Sequence, residues 1–177
     1  MTPADPIVIE DYDPSWPRVF ETLRSRLFGL LAGMAAAIEH VGSTAVPGLA
    51  AKRIIDIDVL LGSGADLQPL IARLASFGYA HQGDLGVTGR EAFRAPPNDG
   101  PHHLYVCIPG SHEYRRHIAF RDHLRSHPKD ANAYAILKRE LARKFGSDRD
   151  AYTQTKGKFV EGILRRAGQE SKQSTKR

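Results

Sequence analysis

The sequence predicts an α+β protein, a small mixed β-sheet flanked by helices with a helical lobe at its C-terminal end. Three observations carry that expectation. Strand-like and helix-like spacings interleave up to residue 110, and only helical spacing follows. Hydrophobic residues make up 41% of the 177 residues and charged residues 25%, the balance of a chain that buries a core. No apolar run approaches the ~20 residues of a membrane span, so no membrane partner is expected. The expected organisation is a core over 1–110, a helical lobe over 111–167 packed on it, and a disordered basic tail over 168–177.

Residues 7–10 (IVIE) read as a short edge strand. Asp13-Pro14 opens a helix in which Trp16, Val19, Phe20, Leu23, Leu27, Leu30 and Leu31 recur at helical spacing, and Gly33 ends it. Pro14 and Pro17 fit only near its start, where a missing N–H does no harm. A strand over 36–41 runs into Gly42-Ser43-Thr44, and one short helical turn is expected within 45–52. IIDIDVLL (54–61) is the clearest strand, rich in β-branched residues and stopped by Gly62-Ser63-Gly64. Leu67, Leu70, Ile71 and Leu74 define an amphipathic helix over 66–77, with Gly78 as its C-cap. Strands are expected at 79–82, 87–94 and 103–108, then helices at 112–126, 131–145 and 148–167, separated by Pro128 and Gly146.

Charge is unevenly placed. Residues 1–110 hold 8 Lys and Arg against 12 Asp and Glu, net −4, while residues 111–177 hold 17 against 8, net +9. Such asymmetry suits an anionic ligand held between two halves, or nucleic acid. Cys107 is the single cysteine, which excludes an internal disulfide and a thiolate-rich zinc site. The first residues lack a basic region followed by a long apolar one, so a reducing cytoplasm is the expected compartment.

The sharpest chemical feature is Asp56-Ile57-Asp58. In a strand, residues i and i+2 share a face, so the two carboxylates project together opposite Ile55, Ile57 and Val59. They repel each other, and a divalent cation resolves the repulsion; Mg²⁺ takes a carboxylate or two plus substrate phosphates. Upstream, Gly42-Ser43 follows a strand. Glycine lets backbone approach a phosphate, exposed N–H groups attract anions, and serine adds a hydroxyl. A Gly-Ser turn, a helix, then a strand bearing Asp-x-Asp is the order of the nucleotidyltransferase superfamily that resembles DNA polymerase beta.

The resemblance narrows further. HVGSTAVPGLAAKRIIDIDVLL (40–61) resembles the signature of the GrpB family, and further matches run through Gly89-Arg90-Glu91, His102-His103-Leu104, Phe120-Arg121-Asp122, His127-Pro128, Lys138 and Lys156. The match spans about residues 7–165 and implies a fold similar to minimal nucleotidyltransferases. Three departures stand out. Arg53 replaces a proline common in the family, and His103-Leu104-Tyr105 stands where many members carry His-x-His. Working members of the wider superfamily take a third carboxylate from a later strand, where this chain offers His103, Tyr105 and Cys107; Glu91 on the preceding strand is the nearest acidic candidate.

The resulting expectation is a nucleotidyltransferase that moves a nucleoside monophosphate from a nucleoside triphosphate to an acceptor. Asp56 and Asp58 would hold Mg²⁺ or Mn²⁺, with His103 as a further candidate ligand. Gly42, Ser43, Lys52, Arg53, Arg90, Arg121 and Lys138 would contact the nucleotide and its phosphates. The alternative is a catalytically silent module of the same fold that binds a nucleotide, another phosphorylated small molecule or a CoA-like ligand. A nucleic-acid partner ranks below both, because Tyr134, Tyr152 and Phe159 have core-like helical spacing. His123 and His127, four apart, read as capping and surface hydrogen bonding rather than as a zinc pair.

Overall fold

A computed structural model of the chain describes residues 5–174. Helix α1 (Trp16–Leu30) starts beside Pro17 and buries Trp16, Phe20, Leu23, Leu27 and Leu30 along one stripe. Strand β1 (Ala35–Val41) leads into Gly42 and a single 3₁₀ turn, Ser43–Ala45. Then come β2 (Ile55–Leu61), α2 (Leu67–Ser76), β3 (Ala80–His81), β4 (Arg90–Arg94) and β5 (His102–Cys107). Helices α3 (His112–Ser126), α4 (Pro128–Phe145) and α5 (Arg149–Ser174) complete the chain.

The five strands form one mixed sheet in the order β1-β2-β5-β4-β3. β2 and β5 are parallel, and the other pairs are antiparallel. Both sheet faces are covered. Apolar residues of α1 and α2 pack with Ile38, Ile55, Ile57, Val59, Leu104 and Val106 on one face. On the other side, Leu124, Tyr134 and Ile163 of α3, α4 and α5 pack on Val46, Leu49 and Ala50 from the segment between β1 and β2. Asp56 and Asp58 point toward these three helices, because they alternate with the apolar set.

Several elements differ from the sequence expectation. Residues 7–10 do not join the sheet. They form a strap, with Glu10 bridging Ala51 and the Ile7 amide donating to the Gly146 carbonyl at 3.0 Å. The turn expected within 45–52 begins at Ser43, directly after Gly42. The strand expected from 87 starts at Arg90, because Leu85, Gly86 and Gly89 all hold positive φ. Pro128 opens α4 instead of separating helices, since the first helical turn needs no N–H from it. Helix α5 continues past 167, so the tail expected to be disordered over 168–177 is helical as far as Ser174; residues 175–177 lie outside the described residues. Among the described residues, no helix is long and apolar enough to cross a membrane.

Candidate functional site

The alternation along β2 sets the site. Asp56 stands in register with Val41 on β1 and His103 on β5; Asp58 stands between Glu39 and Tyr105. Nδ1 of His103 lies 2.8 Å from Oδ1 of Asp56. The other Asp56 oxygen packs against Gly42, whose φ is +71°. A Cβ on residue 42 would overlap that oxygen and stand 2.9 Å from the Asp56 Cγ, so Gly42 supplies both a backbone angle and space.

Asp58 is fully buried. Its Oδ2 meets Nδ1 of His117, on α3, at 2.8 Å, and its Oδ1 is a buried acceptor with no partner. Nε2 of His117 lies 3.1 Å from Glu113 Oε1, so both ring nitrogens face carboxylates and both donate. Burial alone would lower the His117 pKa. The hydrogen bonds to Asp58 and Glu113 outweigh it and raise the pKa to about 9. The same His117 contact pulls Glu113 down to about 2. Burial pushes the Asp58 carboxyl up, against the pull of its His117 partner.

The Gly-Ser turn is tied down from three sides. Thr44 Oγ1 donates to the Ile54 carbonyl at 3.3 Å and accepts from His40 Nε2 at 3.0 Å. His40 is buried and stacked on Phe20 at 4.6 Å, and burial lowers its pKa to about 4, so it is neutral. Lys138, on α4, donates to Ser43 Oγ at 2.8 Å and to the Ala50 carbonyl. Arg125 donates to the Ala45 carbonyl at 2.8 and 3.0 Å.

Lysines gather beside this turn. Nζ of Lys52 lies 4.7 Å and Nζ of Lys156 5.6 Å from the centre of the Tyr152 ring. Lys138 is almost wholly buried, and burial with the neighbouring Lys156 lowers its pKa to about 7. Burial also lowers Lys52 and Lys156; Lys156 further depresses Lys52, and Asp56 opposes both shifts. A dianion or polyphosphate would relieve this repulsion.

The site opens into one cleft with two arms. The lysine arm, about 280 Å³, is lined by Lys52, His103, Lys138, Tyr152 and Thr44. The second arm, about 350 Å³, is lined by Val41, Arg90, Glu113, His117, Phe120 and Val160. Ser43, Asp56, Tyr105, Thr153 and Lys156 line both, at their junction.

Of the residues singled out in the sequence, Gly42, Ser43, Asp56, His103, Lys52 and Lys138 line this cleft, Arg90 lines its second arm, and Asp58 is buried and lines neither arm. Two expected residues lie elsewhere. Arg53 lines a separate depression with Trp16 and Asp99. Arg121 ties α3 to β1, donating to Glu39 at 2.7 Å, to the His40 carbonyl at 3.0 Å and to Asp122 at 2.8 Å. Glu91 is not a third carboxylate. It pairs in register with Val106, on the face away from Asp56, and meets His81 at 2.7 Å.

Sequence reasoning missed His117 and Glu113, although their i, i+4 spacing on a helix was a usable signal. It also left Lys156 outside the site. His123 and His127 stack at 3.9 Å at the end of α3, and His123 meets Asp130 at 2.7 Å, well within an ordinary helix-end network. Cys107 is buried with its thiol pKa pushed up to about 12, an inert packing residue.

The residues suit a divalent cation in one limited sense. Among the described residues, no group of three or more His, Cys, Asp or Glu side chains is arranged to hold a metal. A Mg²⁺ site built from two carboxylates and completed by substrate phosphates does not need one. Asp56 and Asp58 would supply that pair; Asp58 is fully buried and its Oδ2 is held by His117, so its partnerless Oδ1 is the acceptor a cation would satisfy.

The fold, one mixed five-stranded sheet with helices on both faces, is nucleotidyltransferase-like. The Cid1 poly(U) polymerase, in a crystal structure bound to MgATP, superposes with a TM-score of 0.51 at 15% identity, over 76% of this chain and 44% of that one, a likeness of fold alone. The chain belongs to the GrpB family, whose model, described as GrpB protein, matches residues 6–166. A UPF0157 protein of Pseudomonas aeruginosa is 42% identical over 167 residues, covering 92% of this chain and 68% of the relative. The crystal structure of conserved protein GrpB from Enterococcus faecalis aligns with a TM-score of 0.84 at 33% identity, over 93% of this chain and 99% of that one.

Proposed function

We propose that this GrpB family protein is a metal-dependent nucleotidyltransferase. One observation carries the reading: three lysines with lowered pKa values, Lys52, Lys138 and Lys156, converge on a serine turn beside two paired carboxylates. Cations crowded together in excess of the carboxylate beside them, Asp56, favour a polyphosphate ligand. Lys52 and Lys156 would meet the β- and γ-phosphates, while Lys138 acts by holding Ser43 in place. The α-phosphate would sit over Ser43 and Asp56, where the arms join. An acceptor oxygen attacks the α-phosphorus; a new P–O bond forms, the bond to the bridging oxygen breaks, pyrophosphate leaves, and a hydroxyl acceptor releases its proton to solvent. Mg²⁺ or Mn²⁺ bound by Asp56 and Asp58, with His103 beside Asp56, would supply neutralisation of phosphate charge and polarisation of the α-phosphoryl oxygen.

The alternative, a silent nucleotide- or CoA-like-ligand-binding module, is favoured by two features. The β5 positions opposite Asp56 and Asp58 are His103 and Tyr105, and Asp58 lies sealed beneath His117. RNA binding gains nothing from Tyr134 and Tyr152, which are buried in helix packing and offer no stacking platform.

Calorimetry with ATP, GTP, CTP and UTP, each with Mg²⁺ or Mn²⁺, tests the reading. Binding of at least one, lost in Asp56→Ala, is expected, with pyrophosphate released once an acceptor is supplied. Failure of all four nucleotides to bind, with Asp56→Ala indistinguishable from wild type, would sink it. Tight binding with no turnover across acceptor classes would favour the silent module.

A further inference from the structure

The two arms of the cleft differ in chemistry, and one residue of the second arm stands out. Arg90 lies on the Asp56 face of the sheet, in register with Cys107. Its guanidinium carbon sits 4.4 Å from the centre of the Tyr105 ring. Its Nε is buried without a hydrogen-bond partner. Among the described residues it makes no ion pair. Of the other ionic groups of this arm, Arg116 bonds Glu113 and Glu161, and His117 bonds Glu113 and Asp58, while Asp56 and Lys156 stand at the junction with the lysine arm. Away from that junction, Arg90 is the cation of this arm without an ion-pair partner among the described residues. A guanidinium suits a planar or tetrahedral oxyanion, which it holds through two parallel N–H donors.

One side of the arm is apolar. Val41, Phe120, Tyr134 and Val160 form its wall, and Gly157 leaves room beside them. The lysine arm has no comparable wall; its cations already suit the phosphates of a nucleotide. Both arms meet at Asp56 and Ser43. We infer that the second arm is the acceptor site, and that the acceptor is a small molecule with an apolar or ring portion and an oxyanion, carboxylate or phosphate, held by Arg90. This rests on the nucleotidyl-transfer reading for the word acceptor. The binding itself does not.

The test uses calorimetry on the full chain with three probes: phenyl phosphate, benzoate and inorganic tripolyphosphate. At least one ring-bearing anion is expected to bind, and whichever of phenyl phosphate and benzoate binds tighter identifies the oxyanion. Arg90→Gln should weaken that probe about tenfold or more, and Arg90→Lys should retain part of the affinity as the charge-keeping control. Val160→Trp should fill the arm and abolish binding of the ring probe. Neither Arg90→Gln nor Val160→Trp should change tripolyphosphate affinity by more than about twofold, which also shows that the variants are folded. Lys52→Ala should do the reverse.

Loss of affinity for both ring probes and tripolyphosphate together in Arg90→Gln, despite unchanged circular dichroism, would make the cleft one undivided anion site and overturn the inference. So would no binding of either ring probe to the wild type, or direct competition between a ring probe and tripolyphosphate. Ring-probe binding through Arg90 with no affinity for tripolyphosphate or any nucleotide would uphold the Arg90 site and overturn the transfer reading instead.

Discussion

Nδ1 of His117 lies 2.8 Å from Oδ2 of Asp58, so a side chain from α3 caps the more buried carboxylate of the Asp-x-Asp pair. His103 does the same for Asp56 from the neighbouring strand. Each acid of the pair thus has its own imidazole, one delivered by the sheet and one by the helices packed on it.

His117 has its pKa raised to about 9 from an ordinary 6.5. A group that the fold holds protonated stabilises fully below its unfolded pKa and loses that contribution as pH rises through its folded pKa. Replacing His117 with Asn is therefore expected to cost ~1–3 kcal/mol near neutral pH, with the deficit shrinking toward pH 10. Lys138, lowered to about 7, acts with the opposite sign between there and 10.5, so the observable is the difference between the two proteins. Urea denaturation of both across that range measures it, and imidazole NMR titration reads the His117 pKa directly. A pH-independent difference would contradict the assignment.

Gly42→Ala should damage the site more than it damages the core. The new Cβ meets the Asp56 carboxylate and φ is +71°. The expected loss of stability is ~1–3 kcal/mol, accompanied by loss of nucleotide affinity as Asp56 is displaced. Thermal melts and calorimetry check the two effects separately. Undiminished affinity would mean that the Asp56 position is not needed.

The basic residues divide into two groups with different readouts. Lys52→Ala and Lys156→Ala should each lower tripolyphosphate affinity about tenfold with little change in melting temperature. Arg121→Ala should leave that affinity alone and destabilise the fold by ~2–4 kcal/mol, because it strips Glu39 and the His40 carbonyl of a nearly buried partner. Arg53→Ala should affect neither the lysine arm nor its ligand. An Arg121 variant that kept its stability and lost phosphate affinity would reverse this assignment.

Glu91→Gln separates the two sheet faces. Its carboxylate faces away from Asp56 and meets the partly exposed His81, so stability should fall by less than ~1 kcal/mol. Mn²⁺ and nucleotide affinity should match wild type, whereas Asp56→Asn should lose both. Loss of Mn²⁺ affinity in Glu91→Gln would restore it as a ligand.

The alternation of Ile55, Asp56, Ile57, Asp58 and Val59 determined which side chains share a face, because strand geometry allows no other choice. The helical stripe from Trp16 to Leu30 and the Gly42-Ser43 turn before an Asp-x-Asp strand were legible for the same reason: each is a local pattern. Glu91 was legible as strand but not as to face. The face of a short strand is set by its partner, and only the pairing of Glu91 with Val106 turned it away from the site.

What tertiary structure alone decided are the contacts across the fold. His117 reaches Asp58 across 59 residues of sequence, Lys138 reaches Ser43 across 95, and Arg121 reaches Glu39 across 82. No periodicity encodes such distances. They follow from how α3, α4 and α5 pack against the sheet. That packing buries Lys138 and Asp58, matches Arg121 with Glu39, and leaves Arg90 and the lysine pair facing open space. The sequence determined the carboxylate pair and the turn beside it; desolvation and pairing in the folded molecule decided which charges remain for a ligand.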